Sequence, residues 1–294
     1  VNGHIPSEEI PTLQAEDPYF TSAPRIGTYY YIFNMDKPEL ADVKVRKALS
    51  ISIDRKAIVE NITKGGQIPA TGFIPGSLSD SQGKSYRTGG EEYGIDPNAA
   101  KVEEAKKLMA EAGFPDGKGF PKLTVYYNTS EGHKKIAEAV QEMWKTNLGI
   151  DVELANEEWA VFQDRRHNGD FEIARGGWIG DYADPMTMLD LWSSISGNND
   201  AQWRSTEQPV VAPTDTKLNP ENAPFDKMLK DSMTLEGAER DAKLREAEKY
   251  LAEQNIFIPV YYYTYAYLIN EDIVEGVEKT TMGSWYFKNA EVVE

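Results

Sequence analysis

Across residues 42–51 the apolar positions Val43, Val45, Ala48, Leu49 and Ile51 recur at roughly helical spacing behind Asp42, a residue suited to an N-cap, so the pattern predicts a helix. Asp54 is placed to cap a second helix, RKAIVENITK, ending at Gly65-Gly66. Ahead of both, the aromatic and β-branched run TYYYIFN (28–34) predicts a strand. Residues 75–95 are polar and Gly-rich and predict a surface loop; Asp96-Pro97 then pairs a capping residue with proline, predicting a helix through KVEEAKKLMAEA that stops at Gly113. Next the pattern alternates: strand 122–128, helix 133–148, strand 150–157, helix 158–169 and a short strand at 171–174. That alternation predicts an α/β layer with helices packed on a sheet. Past Asp184-Pro185 come a helical MTMLDLW, a long polar loop to about Pro224, and two helices, FDKMLKDSMT and AERDAKLREAEKYLAEQ. The end, IFIPVYYYTYAYLIN then VEGVEKTTMGSWYF, is strand-rich, and no internal repeat is present.

The length, 294 residues, suits one large domain or two. No run of about 20 apolar residues is present, so no membrane-spanning segment is expected. There are 31 Lys plus Arg against 48 Asp plus Glu, a formal charge of −17, which repels phosphate backbones and anionic lipid and argues against a nucleic-acid partner. The absence of cysteine removes disulfides, thiolate nucleophiles and Cys-based metal sites, leaving His4, His133 and His167 for metal or acid–base work. The opening VNGHIPSEEIPTLQAEDPYF has neither an initiator Met nor a basic and apolar leader, so the chain is expected to lack a signal peptide and to open in mid-protein.

No phosphate loop, GxSxG elbow or HExxH pair occurs, and the histidines are too scattered for a ligand cluster. A catalytic site, a metal and a cofactor are therefore not expected. The sequon Asn128-Thr129-Ser130 carries little weight without a known secretory route. More informative are charges near strand ends. Arg166 closes one helix, Arg175 lies on the strand after it, and His133 opens the first helix of the same α/β unit. Ligands of open α/β sheets bind outside the carboxyl ends of the strands, so the three could converge on one rim. A solvated helix C-terminus explains Arg165, Arg166 and His167 as well, and taken singly is the stronger account. Asp181, in a Gly-rich turn, and Trp178 have equally plain explanations in turn formation and core packing.

The order of longer segments changes that balance. TYYYIFN, VRKALSISIDRKAIV, AKKLMAEAGFP, YNTSEGHKKIAEAVQEMWKTNLGIDVELANEEWAVFQDRRHNGDFEIARGGWIGDYADP and IFIPVYYYTYAYL together resemble the C-terminal half of an oligopeptide-binding protein of an ABC importer, of the family 5 solute-binding type, from about residue 28 to 287. The resemblance implies the C-terminal part of a two-lobed type II periplasmic-binding-protein-like clamp, with mixed sheets flanked by helices. It implies that residues 36–262 form a continuous ligand-binding lobe, while 1–35 and 263–294 belong to a split lobe whose remainder lies upstream, with hinges near 34–36 and 262–264.

Carried over position by position, Asp181 matches the acid that pairs with a peptide's α-ammonium. Arg166, Arg175 and His133 match the cations that receive its C-terminus, Trp159, Trp178 and Tyr263 match groove-lining residues, and Gly177 matches a point of close backbone approach. The implied function is capture of short oligopeptides outside the cytoplasm, in the periplasm or from a lipid anchor at the cell surface, and delivery to membrane permease subunits. Relatives of this kind also carry dipeptides, nickel complexes, haem or signalling peptides, so another solute is the alternative, and a peptide hydrolase the more distant one. Without its other half, the chain is expected to bind peptide weakly and to self-associate through exposed strands.

Overall fold

The computed structural model describes residues 5, 9–88, 92–205 and 218–293. His4, residues 89–91 of the predicted 75–95 loop and residues 206–217 of the polar loop before Pro224 lie outside the described residues. In chain order the elements are α1 (Ile10–Glu16), β1 (Phe20–Phe33), α2 (Val43–Ile51), α3 (Arg55–Ala57, continued by a π-helical turn Ile58–Thr63), β2 (Ile68–Pro69), α4 (Val102–Glu111), β3 (Leu123–Asn128), α5 (Glu131–Leu148), β4 (Val152–Glu157), α6 (Trp159–His167), β5 (Ile173–Ile179), α7 (Met186–Leu189), α8 (Asn222–Ser232), α9 (Gly237–Gln254) and β6 (Phe257–Leu268). Four two-residue strands follow: β7 (Val274–Glu275), β8 (Glu278–Lys279), β9 (Trp285–Tyr286) and β10 (Glu291–Val292).

Six strands form one mixed sheet in the order β2-β6-β1-β5-β3-β4. Strands β3, β4 and β5 run parallel, and β1 runs antiparallel to both β5 and β6. The run IGTYYYIF is buried because β1 lies between two cores and its side chains alternate between them. Tyr29, Tyr31 and Phe33 pack with Leu49, Val140 and Trp144 on one face; Tyr30 and Ile32 pack with Phe162, Trp192 and Phe257 on the other. The fold is therefore the α/β class expected, a mixed sheet flanked by helices.

Asp42 and Asp54 act as the caps expected, accepting from the N–H groups of Lys44 and Ala57 at 2.8 Å. Three local expectations change. The helix after Asp54 widens into a π turn and ends with Lys64 in the left-handed region (φ 52), one residue before the glycines. Asp96 closes a turn on the N–H of Asn98 instead of opening a helix, and α4 starts only at Val102. Strand β5, expected to stop at 174, continues through Arg175-Gly176-Gly177-Trp178 to Ile179, because all seven residues pair with β1, from Phe33↔Ile173 to Gly27↔Ile179.

Candidate functional site

That longer strand creates an open backbone edge. One side of β5 is filled by β1 along its whole length, but on the other side β3 pairs only with Ile173 and Ala174. The N–H of Gly180 points towards β1, where it bonds the Ile26 carbonyl at 3.0 Å. Backbone groups alternate in direction along a strand, so those of Gly177 and Ile179 point to the unfilled side. An extended chain can add there by main-chain hydrogen bonds, which do not depend on side-chain identity.

Alternation also divides the side chains. Arg175 and Gly177 fall on the face of Tyr29; Gly176 and Trp178 fall on the face of Tyr30. Arg175 is 9% exposed, with its guanidinium carbon 4.9 Å from the centre of the Tyr29 ring. It donates to the Tyr263 hydroxyl at 3.1 Å and weakly to Asn128 Oδ1 at 3.4 Å, while its Nε is buried with no acceptor. Among the described residues it has no carboxylate partner. A buried guanidinium with an unused donor is poised for an anion, since an unpaired buried charge is costly.

His133 stands beside it. Burial, helped by the charge of Arg175, lowers its pKa to about 4, so at neutral pH it is an uncharged ring against the Tyr29 hydroxyl, 3.3 Å from Nδ1. It brings hydrogen-bonding capacity but no charge. At Gly177 a Cβ would come 2.6 Å from the Tyr263 hydroxyl and 2.8 Å from Arg175 Nη2, so any larger residue displaces the tips of the two side chains that form this corner. Gly176 is held more strictly, because a Cβ there would come 2.5 Å from the ring of buried Tyr30.

Arg166 is on the opposite face and already paired. Its Nε and Nη2 both donate to Asp200 Oδ2, the first at 2.9 Å, and Asp200 is 2% exposed. His167 Nδ1 meets the other oxygen of Asp200 at 2.7 Å. Burial alone would raise the Asp200 pKa, but Arg166 and His167 outweigh it and hold the carboxyl below the usual range. The remaining arm of Arg166, Nη1, donates to the Arg175 carbonyl at 3.3 Å. Trp178 is fixed by a 2.7 Å bond from its indole N–H to the Thr187 carbonyl, and Trp159, 49% exposed, opens α6 beside Phe162. Asp181 lies just beyond β5 with its backbone N–H on Thr187 Oγ1 at 2.8 Å, and its exposed carboxylate has no ion-pair partner among the described residues.

Arg175, Gly177, Tyr263 and His133 thus come together on one face, and Asp181 marks the far end of the open edge. Trp178, Trp159 and Arg166 belong to the other face. Tyr29, Asn128 and Asp200 complete these contacts, and the sequence marked none of them for this role: Tyr29 read as part of a strand, Asn128 as a sequon, and Asp200 ends a polar GNND tract without periodicity. Among the described residues no group of three His, Asp or Glu is arranged to hold a metal, and no helix is long and apolar enough to cross a membrane.

Comparison with known proteins agrees with this mixed α/β fold. Residues 2–200 match the family model described as bacterial extracellular solute-binding proteins, family 5 middle. The chain belongs to that family. The oligopeptide-binding protein OppA of Bacillus subtilis is 37% identical over 291 residues, covering 98% of this chain and 49% of that protein. The periplasmic oligopeptide-binding protein OppA of Salmonella typhimurium is 34% identical over 292 residues, 98% and 48%. Among solved structures, the periplasmic oligopeptide-binding protein OppAIV of Borrelia burgdorferi superposes with a TM-score of 0.77 at 32% identity, covering 99% of this chain and 53% of that one. The family 5 chain described here therefore spans about half the length of the relatives it matches.

Proposed function

We propose that the chain supplies one wall of a groove in which an extracytoplasmic solute-binding protein captures short oligopeptides for delivery to an ABC permease, without catalysing their cleavage. The observation carrying this reading is the unfilled edge of β5 between an unpaired buried Arg175 and an unpaired Asp181. A zwitterionic peptide laid along that edge meets a cation at one end and an anion at the other. Six residue steps separate the two, at most about 20 Å of extended backbone, the span of a peptide of up to about six residues. The relatives' names, oligopeptide-binding proteins in each case, support the same ligand class.

Direct neutralisation of the peptide carboxylate falls to Arg175, with Tyr263 and Asn128 orienting it and His133 giving an uncharged hydrogen bond. Trp159, Trp178 and Gly177 shape the walls of the groove. The domain boundaries, with 1–35 and 263–294 returning to a second lobe, belong to the same proposal. The test is calorimetry on the natural protein carrying this chain, using a tripeptide, its N-acetyl form and its C-terminal amide. Both caps are expected to weaken binding by about tenfold or more. Equal affinity for free and capped peptides rules the groove out, and cleavage of the tripeptide in mass spectrometry rules out a pure binding role.

A further inference from the structure

Pairing of β5 with β1 ends at Gly27↔Ile179, and one further bond follows, from the Gly180 N–H to the Ile26 carbonyl at 3.0 Å. Asp181 lies just past that bond, beyond the paired strand. Its N–H is taken by the hydroxyl of Thr187, six residues on and 2.8 Å away. Resting on the peptide reading above, we propose that Thr187 is a positioning residue for the ammonium end of the groove: its hydroxyl holds the backbone of Asp181 and so fixes where an exposed carboxylate stands.

Three parts of Thr187 act on this turn. The hydroxyl accepts from Asp181, and the carbonyl accepts from the indole N–H of Trp178 at 2.7 Å. The methyl closes over Gly180, where a Cβ would come 2.9 Å from Thr187 Cγ2 and 2.5 Å from Ile26 Cγ2. Thr187 is fully buried and is itself held, since its N–H donates to the Asp184 carbonyl at 3.1 Å. The Asp184 carboxylate in turn accepts from the Met186 N–H at 2.8 Å and from both terminal nitrogens of Arg240 on α9, at 2.7 and 2.8 Å. The turn from Gly180 to Thr187 is thus tied to β1 at one end and to α9 at the other. The same bonds sort its carboxylates. Asp184 is spent on Arg240 and Asp190 accepts from the Tyr182 hydroxyl at 2.9 Å, whereas Asp181 has no ion-pair partner among the described residues and stays available for a cation. Ordering the turn in the free protein lowers the conformational cost of binding at this end. The bond to Trp178 uses the Thr187 backbone, so removing the hydroxyl alone acts on Asp181 and leaves that wall in place.

The test is calorimetry on the natural protein carrying this chain, with a tripeptide, its N-acetyl form and its C-terminal amide. It compares Thr187→Val, which keeps the shape and removes the acceptor, with Thr187→Ser, which keeps the acceptor. In Thr187→Val the discrimination against the N-acetyl peptide is expected to shrink by about fivefold, while discrimination against the amide, set at Arg175, stays as in the unaltered protein. Thr187→Ser is expected to recover the first ratio. A Thr187→Val ratio equal to the unaltered one, no recovery in Thr187→Ser, or both ratios falling together as a merely structural role would produce, each overturns the proposal. If Thr187→Val fails to fold by circular dichroism, amide hydrogen exchange on the unaltered protein decides. The Asp181 N–H is expected to exchange slowly although its side chain is exposed, and exchange at the rate of an unstructured chain overturns the proposal. An unaltered protein that binds free and N-acetyl peptides equally gives a different result: the reading of the groove itself fails at its ammonium end, and this inference with it.

Discussion

Two arginines nine residues apart illustrate how neighbours decide what a charge can do. Arg166 spends its charge on Asp200, whereas Arg175 is more buried and has a phenolic ring, a hydroxyl, an amide oxygen and the uncharged ring of His133 near it, but no carboxylate among the described residues. The second arrangement is unfavourable unless an anion completes it. Asp181 is the complement, exposed and unpaired at the other end of β5. Asp181→Ala is expected to cost at least about 2 kcal/mol of tripeptide affinity by calorimetry, with little effect on thermal stability because the exposed carboxylate has no ion-pair partner among the described residues. At this scale the residue types were legible and their states were not. The sequence presents Arg166, Arg175 and His133 as three similar cations, and burial together with Asp200 separates them into a neutralised cation, an available one and an uncharged ring.

Among the elements, β5 carries the site, and its length comes from pairing and not from propensity. Glycines weaken an isolated strand, which is why DFEIARGGWIGDYADP reads as a strand ending in a turn. Seven consecutive pairs with β1 override that preference, and the glycines are then needed because the Tyr30 and Tyr263 side chains cross the strand where a Cβ would stand. Gly176→Ala is expected to lower stability by roughly 1–3 kcal/mol through overpacking against Tyr30, seen as a lower melting temperature; an unchanged melting temperature would mean that β5 does not press on that ring. The helices α2, α5, α8 and α9 were recognisable because their apolar spacing needs no partner to be seen. The π turn after α3 and the late start of α4 depend on contacts beyond the local sequence.

For the whole molecule, two consequences follow. The folded pKa of His133 is depressed by burial, to about 4 against an ordinary 6.5. An unfolded chain therefore binds the proton first, and stability falls as pH drops from 6.5 towards 4, by up to about 3 kcal/mol. His167 behaves oppositely: its bond to Asp200 raises its pKa, so its contribution is present below 6.5 and is lost as pH rises through the folded value. Denaturant titrations at pH 4.5 and 7 are expected to show His133→Gln losing less stability on acidification than the unaltered chain; parallel losses would exclude His133 as the source. The second consequence concerns edges. Beyond Gly27 and Tyr262, β1 and β6 continue as a two-stranded ribbon, Phe20↔Leu268 to Pro24↔Thr264, with no third strand beside it among the described residues. Such edges pair with other chains, so the 294-residue chain alone is expected to self-associate with rising concentration in light scattering, and a monomeric mass throughout would count against it.

The α/β class, the central aromatic strand, the long amphipathic helices and the residue types of the groove follow from the sequence alone, because hydrophobic periodicity and capping act over a few residues. Tertiary structure decided the rest: how far β5 extends, which backbone edge stays open, and which charges remain unpaired. Those depend on partners as distant in the chain as Tyr29 and Gly177, or Arg166 and Asp200, whose meeting no local pattern encodes.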